Sequence, residues 1–173
     1  MDVLLIVDMQ VGIFEGDPKH DLEAVTRRIK QVAARVRDDG GCVFFIQHDG
    51  EGGDTFAPDS PGWKILDALE PQPSDRFVRK NLNSAFVGTS LEADLVDLDP
   101  QRVLIGGWAT DMCVDATVHS AVERGFPVVV IGDGHTVVDR PHLRAGQVIE
   151  HHHWIWTNLF AKHPVRISNT ADL

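Results

Sequence analysis

Cysteine is scarce in this chain. There are two among 173 residues, Cys42 and Cys113, too few for a disulfide framework. Positive charge is short as well. Sixteen Lys and Arg face 26 Asp and Glu, for a net charge of −10. Phosphate binding needs basic surface, so no nucleic-acid and no acidic-membrane partner is expected. No apolar run approaches the roughly 20 residues of a membrane span. Internal repeats and low-complexity tracts are missing too. Met1-Asp2-Val3 opens into an apolar run without a basic leader or a small-residue cleavage site, which predicts a cytoplasmic setting. What remains is a composition near the globular average, 43% hydrophobic and 24% charged. It is long enough for one domain over residues 1–173 with a substantial core.

Strand and helix patterns alternate along the chain. Val3–Val7 and Cys42–Ile46 are continuous apolar runs, as expected of strands buried on both faces. Cys42 reads as core within the second. Between them, Leu22, Val25, Ile29, Val32 and Val36 mark one face of a helix over Leu22–Arg37, closed by Gly40-Gly41. Residues 49–62, rich in Gly, Asp and Pro, read as a loop. A short helix is predicted over Trp63–Leu69, a strand over Arg76–Arg79 and a helix over Leu91–Leu98. Strands at Arg102–Ile105 and Pro127–Ile131, a long helix over His142–Phe160 and a last strand at Val165–Ile167 follow. Such alternation implies a parallel sheet with helices on both faces and right-handed crossovers.

Chemistry in an open parallel sheet collects beyond the carboxyl ends of its strands. Asp8, Gln47-His48-Asp49, Lys80 and Cys113 all follow predicted strand ends. Strands lie about 4.8 Å apart, so a lysine stem can reach across from two strands away. Singly, Asp8 is also readable as a cap or loop acceptor, Lys80 as a surface cation and Cys113 as a small buried residue. The densest signal is Gly106-Gly107-Trp108-Ala109-Thr110-Asp111-Met112-Cys113-Val114. It reads as strand, tight glycine turn and helix start, with Thr110 and Asp111 as capping types and Gly125 as the stop. A cysteine in a first helical turn meets free N–H groups and the positive end of the dipole, which favours thiolate.

Together these segments resemble the isochorismatase-like cysteine hydrolases, which include nicotinamidases and N-carbamoylsarcosine and ureido-acid amidohydrolases. The likeness lies in Asp8-Met9-Gln10 with Phe14, in Lys80 with Ser84-Ala85-Phe86, and in Gly106 to Val114. It implies a three-layer α/β/α sandwich on a mostly parallel six-stranded sheet, and a catalytic Asp8–Lys80–Cys113 triad. It also implies a cis peptide at Trp108–Ala109, an oxyanion hole from the Ala109 and Cys113 N–H groups, and substrate contacts from Phe14, Gln47 and Trp108. The reaction expected is hydrolysis of a C–N bond (amide, carbamoyl or ureido) in a small molecule through a thioester. The alternatives are a vinyl-ether hydrolase of the isochorismatase type and a non-catalytic binding protein on the same fold.

The sequence departs from the nicotinamidase pattern in its metal positions. The Asp-x-His pair is replaced by Gln47-His48-Asp49, and no histidine lies between Asp49 and Lys80. Neither a metal nor another cofactor is expected. Three adjacent helical histidines, His151-His152-His153, cannot face one ion; His152 falls on the apolar stripe Ala145, Ile149, Trp156, Leu159. Trp154 and Trp156 are assigned to packing or subunit contacts in a homo-oligomer, a dimer or larger. Asp133 after the fifth strand is read as a loop-ordering acceptor.

Overall fold

A computed structural model describes residues 1–173. Six strands form one sheet: β1 (Asp2–Val7), β2 (Cys42–His48), β3 (Arg76–Lys80), β4 (Arg102–Trp108), β5 (Val128–Thr136) and β6 (Arg166–Ser168). Every pairing is parallel, in the order β3-β2-β1-β4-β5-β6. Four helices complete it: α1 (Leu22–Asp38), α2 (Leu91–Leu98), α3 (Asp115–Glu123) and α4 (Ala145–Thr157).

The side-chain alternation of β1 explains the layers. Val3, Leu5 and Val7 join a core with residues of α2, α3 and α4, including Leu91, Val118 and Trp156. Leu4 and Ile6 point the other way, into a core with Val25, Ile29 and Val32 of α1. Both faces are dry, so the strand carries an unbroken apolar run. Each such residue contributes about 1.5–3 kcal/mol relative to exposure. Chain order reverses between β1 and β4, which makes the crevice at their carboxyl ends the switch point of the sheet.

The structure corrects several boundaries. The Trp63–Leu69 helix shrinks to one 3₁₀ turn, Asp67–Leu69. Its backbone is taken instead by the segment after β1: Val11 N–H donates to Lys64 O, and Leu66 N–H to Met9 O. The last long helix covers Ala145–Thr157 rather than His142–Phe160. Asp139 accepts the Ala145 N–H at its start and the Asn158 side chain donates to Trp154 O at its end. β5 runs on to Thr136, five residues past Ile131, through a register shift against β4. Gly106 and Gly107 lie inside β4 and form no turn. Glycine is required there by close approach: a Cβ on Gly106 would stand 2.5 Å from Gly134 O, and one on Gly107, at φ +128°, 2.1 Å from Val7 O.

Candidate active site

Three strand ends converge on one group of side chains. Asp8 directly follows β1 in a left-handed conformation, φ +50°, its N–H donating to Ile46 O of β2. Lys80 closes β3, two strands away. It crosses beyond the end of β2 and donates to Asp8 Oδ2 at 2.7 Å, to Leu82 O at 3.1 Å and to Cys113 Sγ at 3.4 Å. All three ammonium donors are thereby used. Asp8 and Lys80 are each 3% exposed, while Cys113 is half-buried. Asp8 Oδ1 is buried without any hydrogen-bond partner.

Cys113 lies in a π-helical turn, Thr110–Val114, that precedes α3. Neither Thr110 nor Asp111 caps this turn through its side chain. Asp111 instead makes a two-pronged ion pair with Arg140 at 2.7 Å. Burial opposes its ionisation, but the Arg140 contacts win and hold its carboxyl below the usual range. The Thr110 hydroxyl meets His135. The Trp108–Ala109 peptide is cis. Ala109 is 1% exposed, and its N–H donates to no group in the protein, whereas its carbonyl accepts from both Met112 and Val114. A buried N–H without a partner is rare. Here it leaves a donor free at the start of the turn that carries Cys113.

The electrostatics differ from the thiolate expected of a cysteine at a helix start. Burial, then the Asp8 charge, push the Cys113 thiol up to about 12 despite the pull of Lys80. Asp8 is itself raised, because desolvation outweighs the Lys80 attraction. The resting pair is therefore a neutral thiol beside a carboxylate of increased proton affinity.

The three residues expected to contact substrate lie in different surroundings. Trp108 lines a hollow of about 360 Å³ with Gly12, Ile13, Lys19, Thr55 and Phe56. Phe14 lies elsewhere: it is 52% exposed and borders a different hollow with Pro18, Leu22 and Arg27. The 3₁₀ turn Val11–Phe14 buries Ile13 and turns Phe14 outward. Gln47 is 6% exposed, and its amide donates to Trp63 O, anchoring the 49–62 loop. The largest hollow, about 740 Å³, is at the opposite edge of the sheet around Pro100, Pro127 and Pro164.

Two residues here had no role assigned from the sequence. Gln10 is completely buried and its amide clasps the His48 N–H and C=O while also donating to Trp63 O. Asn83 Oδ1 lies 3.8 Å from Cys113 Sγ. Gln10 belongs to the Asp8-Met9-Gln10 motif, but neither amide by itself signals what it would contact.

A metal does not fit at His48 and Asp49. The Asp49 carboxylate is occupied by Arg79 at 2.8 Å and by the Trp63 indole N–H at 2.8 Å. No group of three His, Cys, Asp or Glu is placed to hold an ion. Of the C-terminal histidines, His152 is half-buried as expected and its Nδ1 meets Val148 O. Trp156 is buried and Trp154 is 66% exposed. Asp133 orders the C-terminal segment by accepting from Thr170 N–H and hydroxyl. No helix is long and apolar enough to cross a membrane.

The isochorismatase domain model matches residues 2–152, most of the chain. The chain belongs to the isochorismatase family. It is 35% identical over 142 residues to a streptothricin hydrolase of Streptomyces noursei, an alignment covering 82% of this chain and 56% of that protein. It is 25% identical over 181 residues to a ureidoacrylate amidohydrolase of Methylorubrum extorquens, covering 83% and 73%. A crystal structure of an isochorismatase family protein superposes with a TM-score of 0.87 at 30% identity, covering 96% of each chain. The chain spans about half the length of the streptothricin hydrolases it matches, 56% and 51% of the two. The six-stranded α/β architecture is thus that of the isochorismatase family.

Proposed function

We propose that this isochorismatase-family protein is a cysteine-dependent hydrolase of small C–N substrates, an amide, carbamoyl or ureido compound. The observation that carries the reading is the shared contact of one buried ammonium with a carboxylate and a thiol, Lys80 with Asp8 and Cys113. Relatives named for streptothricin and ureidoacrylate hydrolysis agree with that bond class.

The chemistry follows from the charge state. The thiol is neutral at rest, so its proton must leave as the sulfur attacks. Cys113 Sγ forms a bond to the substrate carbonyl carbon while Asp8 takes the thiol proton. Burial makes Asp8 a stronger base than an exposed carboxylate, which suits that task. The Lys80 ammonium, in contact with both, offsets the negative charge that moves between Asp8 and the sulfur. The carbonyl oxygen gains charge and is met by the free N–H of Ala109 and that of Cys113; one such donor is typically worth about 3 kcal/mol. The C–N bond breaks as Asp8 returns its proton to the departing nitrogen. Asp8 then takes a proton from water, whose oxygen attacks the thioester and frees the thiolate to regain a proton.

The test is turnover and intact mass across nicotinamide, carbamoyl amino acids, ureido acids and isochorismate. An acyl adduct on Cys113 with a C–N substrate, absent in Cys113→Ser, is the expected result. Hydrolysis that persists in Cys113→Ser, or turnover of isochorismate alone, overturns the reading.

A further inference from the structure

The proposed mechanism uses Asp8, Lys80 and Cys113 and gives no task to the buried side chain of His135. His135 is 2% exposed, in β5 and level with Gly107 of β4. Both ring nitrogens are engaged. Nδ1 lies 2.8 Å from Thr110 Oγ1 and Nε2 lies 2.9 Å from Nε2 of His153 on α4. The Trp156 ring closes the pocket edge-on, with centroids 5.3 Å apart. Burial, reinforced by the neighbouring histidines, lowers its pKa to about 3, so the ring is neutral. A neutral imidazole donates through one nitrogen and accepts through the other. The donor and acceptor roles of Thr110, His135 and His153 are therefore coupled through the one ring.

Thr110 gives this chain its importance. It is fully buried and opens the turn, directly after Ala109 and three residues before Cys113. Its carbonyl accepts the Asp115 N–H that begins α3. A hydrogen bond to its hydroxyl is directional, and it fixes the side-chain rotamer and the path of the turn around it. Apolar packing would fill the same space without setting that direction.

We infer that Thr110, His135 and His153 form a positioning relay that aims the Ala109–Cys113 turn, and with it the oxyanion donors, at the reacting carbonyl. The inference rests on Cys113 being the nucleophile. None of the three is asked to touch substrate.

Two thiol probes separate aim from reactivity. Acyl transfer from p-nitrophenyl acetate forms the Sγ–acyl bond, expels nitrophenolate and needs a place for the oxyanion. Alkylation by iodoacetamide displaces iodide at a saturated carbon and needs none. Loss of one oxyanion donor costs about 10²–10³-fold, and a displaced donor loses part of that. Thr110→Val keeps shape and removes the hydroxyl, so Cys113 acylation should fall by about tenfold or more on this scale, with iodoacetamide alkylation within about twofold. Thr110→Ser should restore acylation to within about threefold of the wild-type rate. His135→Gln should show the same split as Thr110→Val. Thr110→Val acylation at the wild-type rate, or a parallel loss with both probes, overturns the relay. Acylation of the wild type that does not depend on Cys113 overturns the proposed function instead, and leaves the relay nothing to aim.

Discussion

Replacing Asp8 with Asn should make Cys113 easier to alkylate and harder to acylate. The two outcomes point in opposite directions because Asp8 has two effects on the thiol. As a charge, it repels the thiolate. Asp8 Oδ2 and Cys113 Sγ both contact Lys80 Nζ, so they lie no more than about 6 Å apart; at an effective dielectric of about 20 that repulsion is roughly 2.8 kcal/mol, or about two pKa units. The wild-type thiol stands at about 12, so the variant should titrate near 10, and its thiolate fraction at pH 8 should rise about 100-fold. As a base, Asp8 accepts the thiol proton during attack, and an amide cannot. Turnover, or acylation by p-nitrophenyl acetate, should fall by the 10²–10⁴-fold typical of a lost general base. The assay is the rate of Cys113 iodoacetamide modification from pH 6 to 11 by intact mass, beside acylation of the same samples. An unchanged alkylation profile would show that the thiol does not feel the Asp8 charge. Retained acylation would remove its role as base.

Three further outcomes are expected. Lys80→Met strips the partner from a buried carboxylate, which costs about 3–5 kcal/mol and should lower the melting temperature by roughly 10 °C. The double change with Asp8→Asn should recover part of that loss, and a melting point within about 2 °C of wild type for Lys80→Met would contradict the buried pairing. Folded His135 is held near 3, below its ordinary 6.5. The unfolded chain therefore binds a proton that the native state refuses, and stability is lost as pH falls from 6.5 towards 3, by on the order of 4–5 kcal/mol at the bottom of that window. Urea unfolding against pH should show a shallower acid decline in His135→Gln, and equal slopes would speak against the assignment. Dialysis against a strong chelator should leave turnover intact, because Asp49 is spent on Arg79 and Trp63; a rate lost to chelation and restored by zinc or iron would contradict this.

The fold was legible because it rests on local patterns. Apolar runs such as Val3–Val7 and the one-faced helix of Leu22 to Val36 leave few arrangements other than a covered parallel sheet. The chain positions of Asp8, Lys80 and Cys113 were readable for a related reason: each follows a strand, and strand ends share an edge. Boundaries that depend on distant partners were not readable. Residues 63–66 have no local reason to leave a helix; they do so because Lys64 O accepts from Val11 N–H and Leu66 N–H donates to Met9 O across the two segments. The surroundings of Phe14 and Gln47 were not readable on similar grounds, since what a side chain meets is set by segments distant in the chain.

Charge state was the largest gap. A cysteine at a helix start reads as thiolate from the sequence, yet desolvation and a nearby carboxylate reverse that preference. Burial is a property of the assembled layers, and no residue type encodes it alone. The same holds for His135. In the sequence it follows an apolar run and looks like loop. Only the register of β5 against β4, with its shift after Val130, turns its ring inward onto Thr110. Composition and periodicity thus determine which strands form and which residues end them. The tertiary structure decides which of those residues lose their water, and so which proton each one holds.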